Sequence, residues 1–169
     1  MRAMIIERLR AEFDGGFALP PRSVENDVEA FLAIRVGDRP YAVSILELGG
    51  IAVDQRITPV PSSERALLGL SAARGQAIAV FDWATMLGEA RPAAMPRWLA
   101  LSAGVEPVGF AFTQLDGYLR VHSSAIAQVT RTTGALIGGV IRGDEHRPII
   151  QVKTAVAVVR GAEVQDGER

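Results

Sequence analysis

Two stretches of this sequence can be laid over each other without a gap, FLAIRVGDRPYAVSILEL from Phe31 and WLALSAGVEPVGFAFTQL from Trp98, 67 positions apart. Leu32 and Leu99, Ala33 and Ala100, Gly37 and Gly104, Pro40 and Pro107, and Leu48 and Leu115 are identical pairs. A second echo, ALLG at Ala66 and ALIG at Ala135, lies at an offset of 69, and each copy leads to an Arg-Gly pair, Arg74-Gly75 and Arg142-Gly143. Two separate matches at nearly one offset are what a duplicated unit leaves behind. Each copy opens as two strand-length apolar runs around a turn and continues into a further strand, AIAVFDW or PIIQV. A lone hairpin is marginal in water, so the strands must close on one another, and small barrels remove exposed edges economically. The expectation is a mainly β fold of two pseudo-equivalent β-barrel subdomains packed together, at about 30–87 and 97–153, mixed by strand exchange. The proline-containing segment LGEARPAAMPR from Leu87 is the crossing between them.

Residues 1–29 are set apart from that repeat. Ile5, Leu9 and Phe13 recur every fourth residue among charges and Gly15-Gly16 closes the pattern, which predicts a short amphipathic helix. Its apolar stripe needs a surface to cover, in the same chain or in a partner. A proline-rich linker follows it. Residues 161–169 are read as a polar tail.

Several function classes are disfavoured by composition. Eighteen basic against 19 acidic side chains leave a net charge of -1, which gives no footprint for nucleic acid. Cysteine is absent, and with it disulfides, thiol catalysis and thiolate metal sites. No stretch approaches the roughly 20 apolar residues of a membrane span, and the N-terminus lacks the uninterrupted apolar run of a secretory signal, so a cytoplasmic protein without direct membrane insertion is expected. His122 and His146 have no second ligand at metal spacing. Ser123 and Ser124 beside His122 do not make a nucleophile and base, because adjacent strand residues point to opposite faces. GALIGGVIRG lacks the ending of a phosphate loop. Neither a catalytic residue, a metal nor a cofactor is called for.

The segment ALLGLSAARGQAIAVFDW, from Ala66 to Trp83, is apolar enough for a buried strand pair, yet carries Arg74 at its centre. A guanidinium there must have its donors satisfied internally or stand at the mouth of a groove. An internal role would be that of a turn arginine, capping carbonyls or pairing with Asp82 or Glu47.

Taken together, FLAIRVGDRPYAVSILEL, ITPVPSSERALLGLSAARGQAIAVFDW from Ile57, VGFAF from Val108 and GGVIRGDEHRPIIQV from Gly139 resemble a CheW-like domain over residues 30–160. The resemblance implies two five-stranded, SH3-like barrels and no enzymatic activity. It implies an adaptor in a bacterial chemosensory signalling array, bridging the cytoplasmic tips of methyl-accepting chemoreceptors and the regulatory domain of a CheA-type histidine kinase. It also places a helical turn ending at Gly69, and an Asn-Leu-Arg-Gly box at Ala72-Ala73-Arg74-Gly75, where alanines replace the asparagine and leucine. A glutamate able to pair with the box arginine corresponds to Gly50, and a proline of the next strand to Ala79. Arg74, Gly75 and Gly69, with Ile45 and Leu48 on the second strand, are the candidate partner-binding residues. The alternative is a small-molecule-binding β-barrel sensor using the groove as a pocket. An esterase-like use of Ser123 or Ser124 lacks an oriented base.

Overall fold

The computed structural model describes residues 27–129 and 135–166. The expected N-terminal helix and most of its linker lie outside them. The chain runs β1 (Val28–Val36), β2 (Arg39–Ser44), a 3-10 turn (Ile45–Glu47), β3 (Leu48–Val53), β4 (Leu67–Ala73), β5 (Gln76–Asp82) and helix α1 (Trp83–Leu87). It continues through β6 (Trp98–Ser102), β7 (Gly109–Phe112), β8 (Gln114–His122), a second 3-10 turn (Ser123–Ala125), β9 (Ile126–Gln128), β10 (Ile137–Ile141), β11 (Arg147–Ile150) and helix α2 (Val152–Asp166). One sheet has the order β8-β1-β2-β11-β10-β9, the other β3-β6-β7-β5-β4. Each sheet therefore combines strands from both halves of the chain. The fold is mainly β with two sheet subdomains.

The sequence echo is visible in the pairing. β2 meets β11 in parallel with Ala42 opposite Ile149, and β7 meets β5 in parallel with Gly109 opposite Val80. Ala42 and Gly109 are partners in the first echo, and Val80 and Ile149 stand at the offset of the second. Both hairpins that follow carry a bulge at their start, between Leu67 and Gly69 in one and between Ile137 and Gly139 in the other.

Burial on both strand faces builds three cores. Val43, Phe81, Phe110 and Ile150 belong to a large shared core between the sheets, together with Trp83 and the Val152, Ala155 and Val159 stripe of α2. Their strand neighbours face away from it, Val80 and Ala111 into a small core of the second sheet and Ala42 into that of the first. Trp83 stacks on Phe110 at 5.2 Å, and Trp98 on Phe112 at 6.3 Å. Truncating a ring such as Phe110 in this seam would cost about 3–5 kcal/mol.

Three local readings of the sequence are corrected. YAVSILEL is not one strand: it ends at Ser44, turns through Ile45–Glu47 and resumes as β3 at Leu48. No helical turn ends at Gly69, which lies inside β4 with φ 143°. There the backbone passes so close to Thr58 that a Cβ would stand 2.1 Å from its carbonyl oxygen. The strand read as PIIQV gives way to α2 at Val152, and that helix continues to Asp166. Glu47, 105 residues away, accepts the Val152 N–H at 2.6 Å at the helix start, a contact that local sequence cannot announce.

Candidate partner-binding surface

Arg74 does not interrupt a strand. With Gly75 it forms the two-residue turn between β4 and β5, where both residues have positive φ, 51° and 77°. Such a turn matches the twist of the flanking strands, and its usual residues are asparagine or aspartate followed by glycine. The side chain is exposed and reaches across to β3, donating through Nη2 to the Gly49 carbonyl. Gly49 is the bulged residue between Leu48 and Gly50 in the β3–β6 ladder, which leaves its carbonyl free of that ladder. Of the internal roles open to Arg74, the structure selects carbonyl capping. Asp82 instead accepts the Ala84 and Thr85 N–H groups at the start of α1 and pairs with Arg91 at 2.8 Å, and Glu47 is used at α2.

The open side of the second sheet, between its terminal strands β3 and β4, is spanned by three contacts. Thr58 pairs with Leu70, the Ser71 hydroxyl donates to the Arg56 carbonyl at 2.9 Å, and Arg74 holds Gly49. Gly69 belongs to this closure through its approach to Thr58. Arg74 and Leu48 are thus brought together through Gly49, with Gly75 beside them at the turn. Ile45 and Leu48 are half-buried, Ile45 as the first residue of the turn between β2 and β3 and Leu48 as the first of β3, rather than lying on the second strand.

Sequence reasoning missed the most exposed side chain of that turn. Leu46 is 89% exposed, and the Glu47 carbonyl next to it accepts the Ala103 N–H at 3.0 Å, so the loop after β6 adjoins. That loop carries Val105, also 89% exposed. Beside Glu47 and Ala103 lies a cleft of about 160 Å³, lined also by Ser102, Val152, Lys153 and Val156. The clue in the sequence was a leucine in the middle of SILEL at a position where the two-residue alternation of a strand breaks down.

It also missed the arginine that the fold does bury. Arg147 on β11 is 9% exposed. Its Nη2 pairs with Asp116 at 2.8 Å and with Glu145, and its Nη1 donates to the Ile34 and Tyr41 carbonyls at 3.2 and 3.3 Å. Arg35 joins from β1, at 3.1 Å from Asp116 and 2.9 Å from Glu145. Asp116 is the extra residue of a bulge in β8 opposite Ala33 and Ile34, and bulges re-aim side chains. Burial opposes ionisation of Asp116, but hydrogen bonds from Arg147 and Gln114 and the charges of both arginines outweigh it and hold the carboxyl below its ordinary range.

His122 and His146 are exposed, and Ser123 donates to the Asp27 carbonyl and the Glu29 carboxylate. Among the described residues, no group of three or more histidine, aspartate or glutamate side chains is placed to hold a metal ion, and no helix is long and apolar enough to cross a membrane.

The model of the CheW-like domain family matches residues 30–159. Among solved structures the chain is similar to the scaffolding protein TtCheW from Thermoanaerobacter tengcongensis, with a TM-score of 0.64 and 18% identity over 73% of this chain and 88% of that one. No curated protein matches the sequence.

Proposed function

The chain belongs to the CheW-like domain family, and from that membership we propose that it is a non-enzymatic adaptor coupling chemoreceptor tips to the regulatory domain of a CheA-type histidine kinase. The observation that carries this reading is Leu46, 89% exposed on the turn between β2 and β3, with Val105, also 89% exposed, on the loop after β6 that adjoins this turn beside a small cleft. Large apolar side chains set out singly on a surface are ordinary, but two on adjoining loops next to a cleft are suited to a protein partner. Ile45 and Leu48 extend this surface, and Arg74, fixed through Gly49, supplies a cation at its margin for register. Gly75 and Gly69 act by shape, one permitting the turn and the other the close strand approach.

For the competing reading, a small-molecule sensor, a cavity in the size range of ligand sites, about 480 Å³, lies beside the β1–β2 turn. Its walls include Arg39, Glu89 and Arg91, which already pair within the protein, Arg39 with Glu89 at 3.2 Å and Arg91 with Asp82 at 2.8 Å. Ligand sites are mostly apolar with a few unspent polar groups, so this cavity fits the role less well.

Titration of the purified protein with a kinase regulatory domain and, separately, with a receptor-tip fragment tests the adaptor reading. Binding of both is expected. Leu46→Glu should weaken at least one interaction tenfold or more, while Met95→Glu, at a 61% exposed position on the crossing segment, should leave both unchanged. A wild-type chain that binds neither partner but gains thermal stability from a metabolite would replace the adaptor with the sensor.

A further inference from the structure

The terminal strands of the two sheets are not equally covered. β3 and β4 are strapped to each other across the open side of the second sheet, and β9 is three residues long. β8 runs nine residues, from Gln114 to His122, and among the described residues it pairs with β1 alone. The ladder to β1 fixes which groups face outward. The Ser123 N–H donates to the Asp27 carbonyl at 2.8 Å, so by the alternation of an antiparallel pair Val121 and Leu119 also bond to β1. Tyr118, Arg120 and His122 then direct their N–H and C=O groups to the free edge, and their side chains are exposed, Tyr118 at 57%. An unpaired edge is a template for another strand unless a proline, a lysine or a bulge blunts it. From Gly117 to His122 there is none of these, because the bulge at Asp116 lies before this stretch.

We propose that this edge receives β8 of a second copy of the chain, antiparallel about a two-fold axis at Leu119, so that two first sheets join into one. The side chains select both the occupant and the register. Outward-facing residues must oppose one another, which allows the axis at Tyr118, Leu119 or Arg120. An axis at Arg120 sets two guanidiniums against each other. An axis at Tyr118 sets Arg120 against Asp116, which sits in the bulge and is already held by Arg35 and Arg147. With the axis at Leu119, Arg120 of each copy opposes Tyr118 of the other, a cation beside an aromatic ring made twice by symmetry. Neither side chain has a hydrogen bond or ion pair among the described residues. On the other face Leu119, packed against the core of Phe31, Ala42 and Val121, meets the partner's Leu119. A net charge of -1 opposes such self-association little. The proposal is independent of the adaptor reading, because β8 is a different surface from the turn that carries Leu46.

Sedimentation velocity of the full-length chain over a rising concentration series should show monomer passing into dimer. Arg120→Pro removes an edge donor that β1 does not use, a place where proline is tolerated, and should weaken dimerisation at least tenfold while cooperative unfolding is kept. Absence of cysteine allows single-cysteine variants to report the register with the edge donors intact. Leu119→Cys, on the axis, should oxidise to a disulfide-linked dimer at least tenfold faster than Tyr118→Cys or Arg120→Cys, although Leu119 is the least exposed of the three. A chain that stays monomeric at every concentration, a dimer indifferent to Arg120→Pro, or oxidation fastest in Tyr118→Cys or Arg120→Cys would each overturn the proposal.

Discussion

Arg74 lies over the backbone of β3, with Nη2 donating to the Gly49 carbonyl and standing 3.2 Å from where a Cβ on Gly50 would be. The resemblance to the family implies a glutamate, able to pair with this arginine, at the position held here by Gly50. In this chain a bulged carbonyl receives the arginine in place of a carboxylate. A hydrogen bond at an exposed site contributes only about 0.5–1.5 kcal/mol net, so Arg74 contributes little to stability and leaves most of its donors to solvent or to a partner.

This separates the turn from the charge. Arg74→Asn creates the Asn-Gly pair favoured in such turns and should keep the unfolding free energy within about 1 kcal/mol of wild type. Arg74→Glu should also fold. If the cation sets register with a partner, both variants should weaken partner binding, the glutamate more. Urea unfolding together with binding titrations checks this, and wild-type affinity in both variants would remove Arg74 from the interface.

Two candidate glycines should differ sharply on substitution. A Cβ on Gly69 meets the Thr58 carbonyl at 2.1 Å, while the space around Gly75 is open. Gly75→Ala should then cost only the left-handed backbone penalty of about 1–2 kcal/mol. Gly69→Ala must also push the Thr58 strap away and lose the Thr58–Leu70 bridge, so its cost should exceed that by 1 kcal/mol or more. Thermal unfolding of the two variants measures the order, and a reversed order would contradict the geometry.

The buried arginine should behave oppositely to Arg74. Arg147→Met strips the Ile34 and Tyr41 carbonyls of a donor but leaves Asp116 paired with Arg35, a change expected to cost about 1–3 kcal/mol. The depressed Asp116 pKa also fixes the sign of a pH dependence. Its stabilisation is present above the unfolded carboxyl value of about 3.9 and is lost as pH falls through the lower folded value. The stability gap between wild type and Asp116→Asn should therefore be flat above about pH 5 and narrow below about pH 4. Urea midpoints measured from pH 7 to pH 3 test it, and a gap independent of pH would show that Asp116 does not carry the effect.

The sequence by itself determined the duplication, and the tertiary structure decided that the two copies meet in parallel seams. Within those seams the echo of Phe31 with Trp98 and of Leu67 with Leu136 reappears as Ala42 on Ile149 and Gly109 on Val80, because side chains buried on both strand faces leave one workable register. It also named Arg74 and Gly75 as special, since an Arg-Gly pair within apolar strands is a local signal. Only the tertiary structure decided which arginine is buried. Burial of a guanidinium depends on acceptors from distant segments: Arg147 finds Asp116 31 residues away and the Ile34 carbonyl 113 away, whereas Arg74 reaches one carbonyl from the surface. The break after Ser44, the exposure of Leu46 and the start of α2 against Glu47 depend on long-range packing in the same way, because a residue's own propensity is weak beside a partner brought in from a hundred positions away.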